Sequence, residues 1–182
     1  TSLLIQGGPI DIFGVGERLI TSKSDPVFGA VYKIASIEKD GMWEPRIKIS
    51  ESVEKITNPG LKKVYRVYND KGRAIADLLT LLREVPDTEE PYRYIDPEQP
   101  WRELYFENCT FKEMKQLIIK DGKLVVDLPT LEEIRAYVQD QLANEIWPEE
   151  QRFENPHRHY LDMSPSYYQL KMDLLNRIYR KK

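Results

Sequence analysis

Hydrophobic and polar positions divide the first half of the chain into segments of different period. Ile10-Asp11-Ile12-Phe13 is a short, largely apolar run closed by Gly14-Val15-Gly16, the pattern of a buried parallel strand ending in a tight turn. A helix is expected to start at about Glu17, while Thr1-Ser2-Leu3-Leu4-Ile5-Gln6 reads as a helix end closed by Gly7-Gly8. Residues 21–26 are polar and read as a loop; Val27 to Ile37 is rich in Val, Ile and Tyr, and Lys39-Asp40-Gly41 supplies a turn. Arg46, Lys48 and Ser50 alternate with Ile47 and Ile49, the period of a half-buried strand. Lys63 to Tyr68 and Arg73 to Leu79 form a hairpin pattern around Asn69-Asp70-Lys71-Gly72. Its outgoing arm, Ala74 to Leu79, fits a helix as well as a strand.

The second half changes character. Pro86 to Pro100 carries four prolines and many charges, which predicts an exposed connector. Strands are expected over Leu104 to Phe106 and Met114 to Ile119, with Asp121-Gly122 turning the second into Lys123 to Val126. Thr130 and Glu133 then have capping-box spacing, and Leu131, Ile134, Val138 and Leu142 follow at helical spacing. Ser164-Pro165 predicts a last helix, with Tyr168, Met172, Leu175 and Tyr179 as its apolar stripe.

Bulk properties narrow the function classes. A chain of 182 residues can build one core, burying about 70% of the unfolded surface. Its 30 acidic and 27 basic residues argue neither for nucleic acid nor for a membrane surface. The single cysteine, Cys109, excludes an internal disulfide and suits a reducing cytoplasm. No apolar run approaches a membrane span, and the first residue, Thr1, suggests a piece of something longer.

Candidate chemistry concentrates at Gly14-Val15-Gly16. Two glycines leave the backbone free to turn and remove the Cβ, so amides can converge on an anion at a helix start. The plainer reading is a strand-to-helix turn. His157-Arg158-His159 offers only half of a metal-ligand set, Cys109 has no nearby base, and Arg180-Lys181-Lys182 complements a helix dipole. Lys62, Lys63 and Arg66 form a basic cluster whose default is a solvated strand face.

Particular residues carry a family resemblance. Phe13-Gly14-Val15-Gly16-Glu17-Arg18-Leu19-Ile20-Thr21-Ser22 and Pro26-Val27-Phe28-Gly29-Ala30-Val31-Tyr32-Lys33 resemble nicotinate phosphoribosyltransferase. So do Arg46-Ile47-Lys48-Ile49-Ser50, Glu54-Lys55-Ile56-Thr57-Asn58-Pro59-Gly60 and Lys63-Val64-Tyr65-Arg66. Asp121-Gly122-Lys123-Leu124-Val125 and Leu128-Pro129-Thr130-Leu131-Glu132-Glu133-Ile134 continue the match in family order. It covers only the C-terminal part of the family.

The resemblance implies transfer of a phosphoribosyl group from 5-phosphoribosyl 1-diphosphate to nicotinate, coupled to ATP hydrolysis through a phosphohistidine, with Mg2+ on the diphosphate. The implied fold is α/β, α+β within this piece: the last strand or strands of an irregular α/β barrel, then antiparallel β-hairpins and a C-terminal helical segment. Residues 1–58 would end the barrel with its hairpin, and 59–182 would form a C-terminal α+β domain. Gly14, Val15, Gly16 and Glu17 map onto the cradle for the sugar 5′-phosphate, with Lys23, Lys62 and Lys63 as candidate anion contacts. Many family members carry threonine at the position of Glu17, so the amides rather than a hydroxyl are assigned to phosphate. Neither His157 nor His159 lies in a phosphohistidine motif, so catalytic residues are expected upstream, with no metal or cofactor bound by this chain alone. A cytoplasmic homodimer is implied, without nucleic-acid or membrane partners. The rivals are a related transferase acting on nicotinamide or quinolinate, and a non-catalytic interaction module derived from the enzyme.

Overall fold

The computed structural model describes residues 2–12, 14, 16, 17, 21, 26, 32–51, 55–87, 89, 91–152 and 154–180. Two units divide them, Thr1–Lys33 and Ile34–Lys182. In the first, helix α1 (Ser2–Ile5) ends at Gly7, whose φ of 78° is the left-handed conformation of a glycine stop. Residues 10–12 form no strand, and Ile12 is 87% exposed. A parallel strand is stabilised by ladder bonds to neighbours on both sides, and among the described residues none pairs with this segment. Phe13, Val15 and Val27 to Val31 lie outside the described residues.

The second unit is built around a four-stranded sheet. Its strands are β3 (Lys62–Tyr68), β4 (Ala74–Leu81), β7 (Thr110–Glu113) and β10 (Leu161–Met163), in the order β10-β4-β3-β7. β3 and β4 are antiparallel, with Arg66 opposite Asp77; β10 joins β4 in parallel, Asp162 beside Leu78. The arm from Ala74 is therefore a strand. Alternation sends its residues to two cores. Tyr65, Val67, Ala76 and Leu78 pack with Phe106 on one face, and Leu79 with Met163 and Tyr167 on the other.

The first face is covered by a small sheet of β5 (Tyr92–Tyr94) and β6 (Leu104–Phe106). The expected connector from Pro86 to Pro100 is thus partly structured. Ile95, buried, exchanges backbone bonds with Met163 at 2.8 and 2.9 Å, because the two tyrosines of β5 have aromatic partners to meet. Likewise the strand expected over Met114 to Ile119 is displaced to β7, where Phe111 packs against Tyr92 and Phe106; the run itself supplies only the short β8 (Ile119–Lys120). Asp121-Gly122 turns β8 into β9 (Lys123–Leu124), as Asp40-Gly41 turns β1 (Ser36–Lys39) into β2 (Met42–Pro45), all four turn residues having positive φ. Residues 46–50 are not a strand. The amide of Lys48 bonds Thr57 Oγ1 and its carbonyl accepts from Thr57 N, both at 3.2 Å, so loop contacts replace a ladder.

Helix α2 (Leu131–Asp140) carries the expected capping box, Thr130 N donating to Glu133 Oε2 (2.7 Å) and Glu133 N to Thr130 Oγ1 (3.3 Å). Its stripe does not enter a core: Leu131 is 76% exposed, and none of its residues is buried. A π-helical turn, Gln141–Glu145, extends it. Helix α3 (Pro165–Tyr179) covers the second face, capped by Ser164. Its buried anchor is Tyr167, one residue before the expected stripe, while Tyr179 is exposed. The cap fixes that phase, since Ser164 Oγ accepts from Tyr167 N (3.1 Å) and donates to Glu84 Oε2 (2.7 Å).

Candidate functional site

The glycine turn lies in the first unit. Glu17 and Thr21 are both helical, and Thr21 Oγ1 donates to the Glu17 carbonyl at 2.9 Å. A Cβ added at Gly14 or Gly16 would meet no atom of the described residues within 4 Å, and neither glycine is left-handed. These glycines thus leave open space rather than relieve strain. Glu17 is exposed. Val15 and Lys23 lie outside the described residues.

Lys62 and Lys63 lie in the second unit, and as neighbours on β3 they point to opposite sides of the sheet. Lys62 Nζ donates to the carbonyls of Asn58 (2.8 Å) and Gly60 (3.2 Å). Burial lowers its pKa, and nearby Lys115 lowers it further. Lys63 Nζ is held by Glu113 at 3.1 Å and reaches Tyr65 Oη at 3.3 Å. The two ammonium groups therefore do not converge on one anion in this structure.

Two ionic arrangements emerge that spacing did not announce. Arg66 grips Asp77 through two bonds, and His159 sits beside that pair, Nδ1 3.2 Å from Glu150 Oε1 and Nε2 3.4 Å from Asp77 Oδ1. His159 Nε2 is buried 3.4 Å from Asp77 Oδ1, just outside strict hydrogen-bond geometry. Asp77, then Glu150, outweighs burial and raises the imidazole pKa. Burial pushes the Asp77 carboxyl up, but His159 and Arg66 together hold it below the usual range. His159 is thus half-buried and paired rather than free in a polar loop.

The second arrangement lines a cavity of about 530 Å³ between the sheet and the β5–β6 ribbon. Asp162, 4% exposed, lies on its wall with Asp96, Glu107 and Arg102. Burial drives the Asp162 carboxyl up to about 7, repulsion from Asp96 adds to this, and His159 opposes it. The only sequence signal was an aspartate between Leu161 and Met163, ordinary for a strand edge.

The nicotinate phosphoribosyltransferase C-terminal domain model matches residues 61–171, which include the four-stranded sheet, the cavity and the start of α3. This chain belongs to the nicotinate phosphoribosyltransferase family. It is 35% identical to the Bacillus subtilis (strain 168) nicotinate phosphoribosyltransferase over 178 residues, 97% of this chain and 36% of that protein. The Caenorhabditis elegans nicotinate phosphoribosyltransferase is 34% identical over 172 residues, 92% of this chain and 29% of that one. The chain spans about a third of the length of these curated relatives. The crystal structure of human nicotinic acid phosphoribosyltransferase superposes with a TM-score of 0.60 at 25% identity, covering 64% of this chain and 23% of that one. The mixed α/β architecture, with several small sheets, is that of the family's C-terminal region. No described helix is long and apolar enough to cross a membrane.

Proposed function

We propose that the chain is the C-terminal part of a nicotinate phosphoribosyltransferase that forms nicotinate mononucleotide and diphosphate with ATP hydrolysis, and that it supplies one wall of the phosphate site. The observation that carries the reading is that a Cβ at Gly14 or Gly16 would meet no atom of the described residues within 4 Å, next to Glu17, which is helical and exposed. Amides there would hold the sugar 5′-phosphate by charge-assisted bonds, the helix dipole adding to the attraction. Holding that phosphate fixes the sugar, so the pyridine nitrogen meets the anomeric carbon in line as diphosphate leaves. Lys23 is the candidate cation for this anion in the first unit; Lys62 and Lys63 are separate anion-contact candidates in the second, each held at present by other partners. Residues 1–58 end the barrel and 59–182 form the C-terminal domain in this reading, and the enzyme works as a cytoplasmic homodimer.

ATP and Mg2+ belong to the complete enzyme. Among the described residues there is no group of three or more His, Cys, Asp or Glu side chains that could hold a metal ion. The test is Gly16→Val in the complete transferase. Loss of one or two charge-assisted bonds, roughly 1.5–3 kcal/mol each, raises KM for the phosphoribosyl donor at least tenfold. An unchanged KM refutes the wall. The purified 182-residue chain alone makes no nicotinate mononucleotide, and measurable synthesis by it would count against the division of labour proposed here.

A further inference from the structure

Asp162 is the most deeply buried carboxylate described, 4% exposed, and no described residue donates a hydrogen bond to it. A buried carboxylate without a hydrogen-bond donor is unfavourable; His159 acts on this one only through its charge, and the carboxylate opens onto the 530 Å³ cavity. The surroundings are acidic. Asp96 and Glu107 line the same space, and Arg102 is the lone guanidinium there, its Nη1 3.5 Å from Gln99 Oε1. Asp96 already caps the chain through Oδ1, accepting from Glu98 N at 2.8 Å, which fixes its position. The remaining wall is aromatic: Tyr94 stacks on Phe106 with centroids 3.9 Å apart and planes 12° from parallel.

We propose that this cavity binds an organic cation, a guanidinium or primary ammonium group, with Asp162 as its main counter-ion and Asp96 as the second. The volume lies in the range of small-molecule sites. A desolvated carboxylate favours a cation, and aromatic faces favour weakly hydrated planar cations over compact ions. A metal ion fits less well, since no group of three or more ligating side chains occurs among the described residues. The cation comes either from a free small molecule or from an arginine or lysine elsewhere in the complete enzyme. The chemistry recognised is the same.

The test titrates methylguanidinium chloride into the 182-residue chain at pH 8 and constant ionic strength, following binding by calorimetry and by chemical-shift changes at Tyr94 and Asp162. One saturable site is expected, weakened at least tenfold by Asp162→Asn and by a smaller factor by Asp96→Asn. Asp162→Asn is isosteric, and its fold is checked by circular dichroism; Asp96→Asn provides an independent second variant. The same titration of the complete transferase separates the sources. Binding there with similar affinity identifies a free ligand, whereas saturable binding to the short chain and none to the complete enzyme identifies an internal side chain. No saturable binding to the 182-residue chain overturns the proposal, as does equal binding by the two aspartate variants and the unmodified chain.

Discussion

The hydroxyl of Tyr167 donates to the carbonyl oxygen of Pro59 at 2.9 Å, tying helix α3 to the strand-entry loop 108 residues earlier. Tyr167 is fully buried, and burial raises its pKa, so it stays a neutral donor. Tyr167→Phe keeps the ring but leaves a buried carbonyl without its donor, a loss of about 1–3 kcal/mol. Tyr167→Ala adds a cavity, bringing the cost to about 3–5 kcal/mol by analogy with other aromatic deletions. Urea unfolding midpoints at constant slope measure both.

Gly60 sits beside that loop with φ of +79°, and a Cβ there would lie 3.2 Å from Leu170 Cδ2 and 3.6 Å from Pro45 Cβ. Leu170 Cδ2 can shift, whereas the left-handed backbone cannot be relieved locally. Gly60→Ala is therefore expected to destabilise the second unit by about 1–2 kcal/mol. Thermal unfolding that leaves Tm unchanged would contradict the strain assignment.

The Asp162 carboxyl links stability to pH. Its folded pKa is raised, so the carboxyl contributes full stability below the unfolded value of 3.8, and this is lost as pH rises through about 7. The difference corresponds to about 4 kcal/mol between those limits. Asp162→Asn should flatten that part of the stability profile and make the variant the more stable protein at pH 8, as read from urea unfolding across pH 4–8.

His159 and Asp77 act with opposite signs. The imidazole pKa is raised, so its stabilising attraction is complete below pH 6.5 and lost as pH climbs through the folded value. The lowered Asp77 carboxyl contributes above 3.8, and that contribution is lost as pH falls through its folded value. His159→Asn should remove the alkaline part of the dependence and leave the acid part to Arg66 and Asp77. A variant that still loses as much stability above neutrality would show that another group titrates there.

Glu17 tests how the proposed phosphate wall is built. At about 4 Å, a carboxylate facing phosphate would be repelled by about 4 kcal/mol per charge pair at an effective dielectric near 20, so the wall requires the amide alone to face the anion. In the complete transferase, Glu17→Gln should change donor affinity less than threefold, and Glu17→Pro, which removes the amide hydrogen, should impair it severely. Tenfold tighter binding by the glutamine variant would place the carboxylate against the phosphate instead.

What the sequence determined was local or familial. Glycine and aspartate turns, the Thr130–Glu133 box and the Ser164 cap were legible because each depends on residues a few positions apart. Family membership was legible because motif blocks run in family order along most of the chain. The tertiary structure decided everything that needs a distant partner. Residues 10–12 and 46–50 have strand-like patterns but, among the described residues, no neighbouring strand to complete a ladder, while Tyr92 to Tyr94, inside a proline-rich stretch, gained a strand because β6 and an aromatic core were there to receive it. The stripe of α2 had the right period and still remained exposed, since periodicity gives a helix an apolar face but not a surface to cover it. Asp162 was unremarkable in sequence for the same reason. Its burial beside a cavity, with Asp96 from 66 residues away raising its pKa, exists only once β10 is docked against β4.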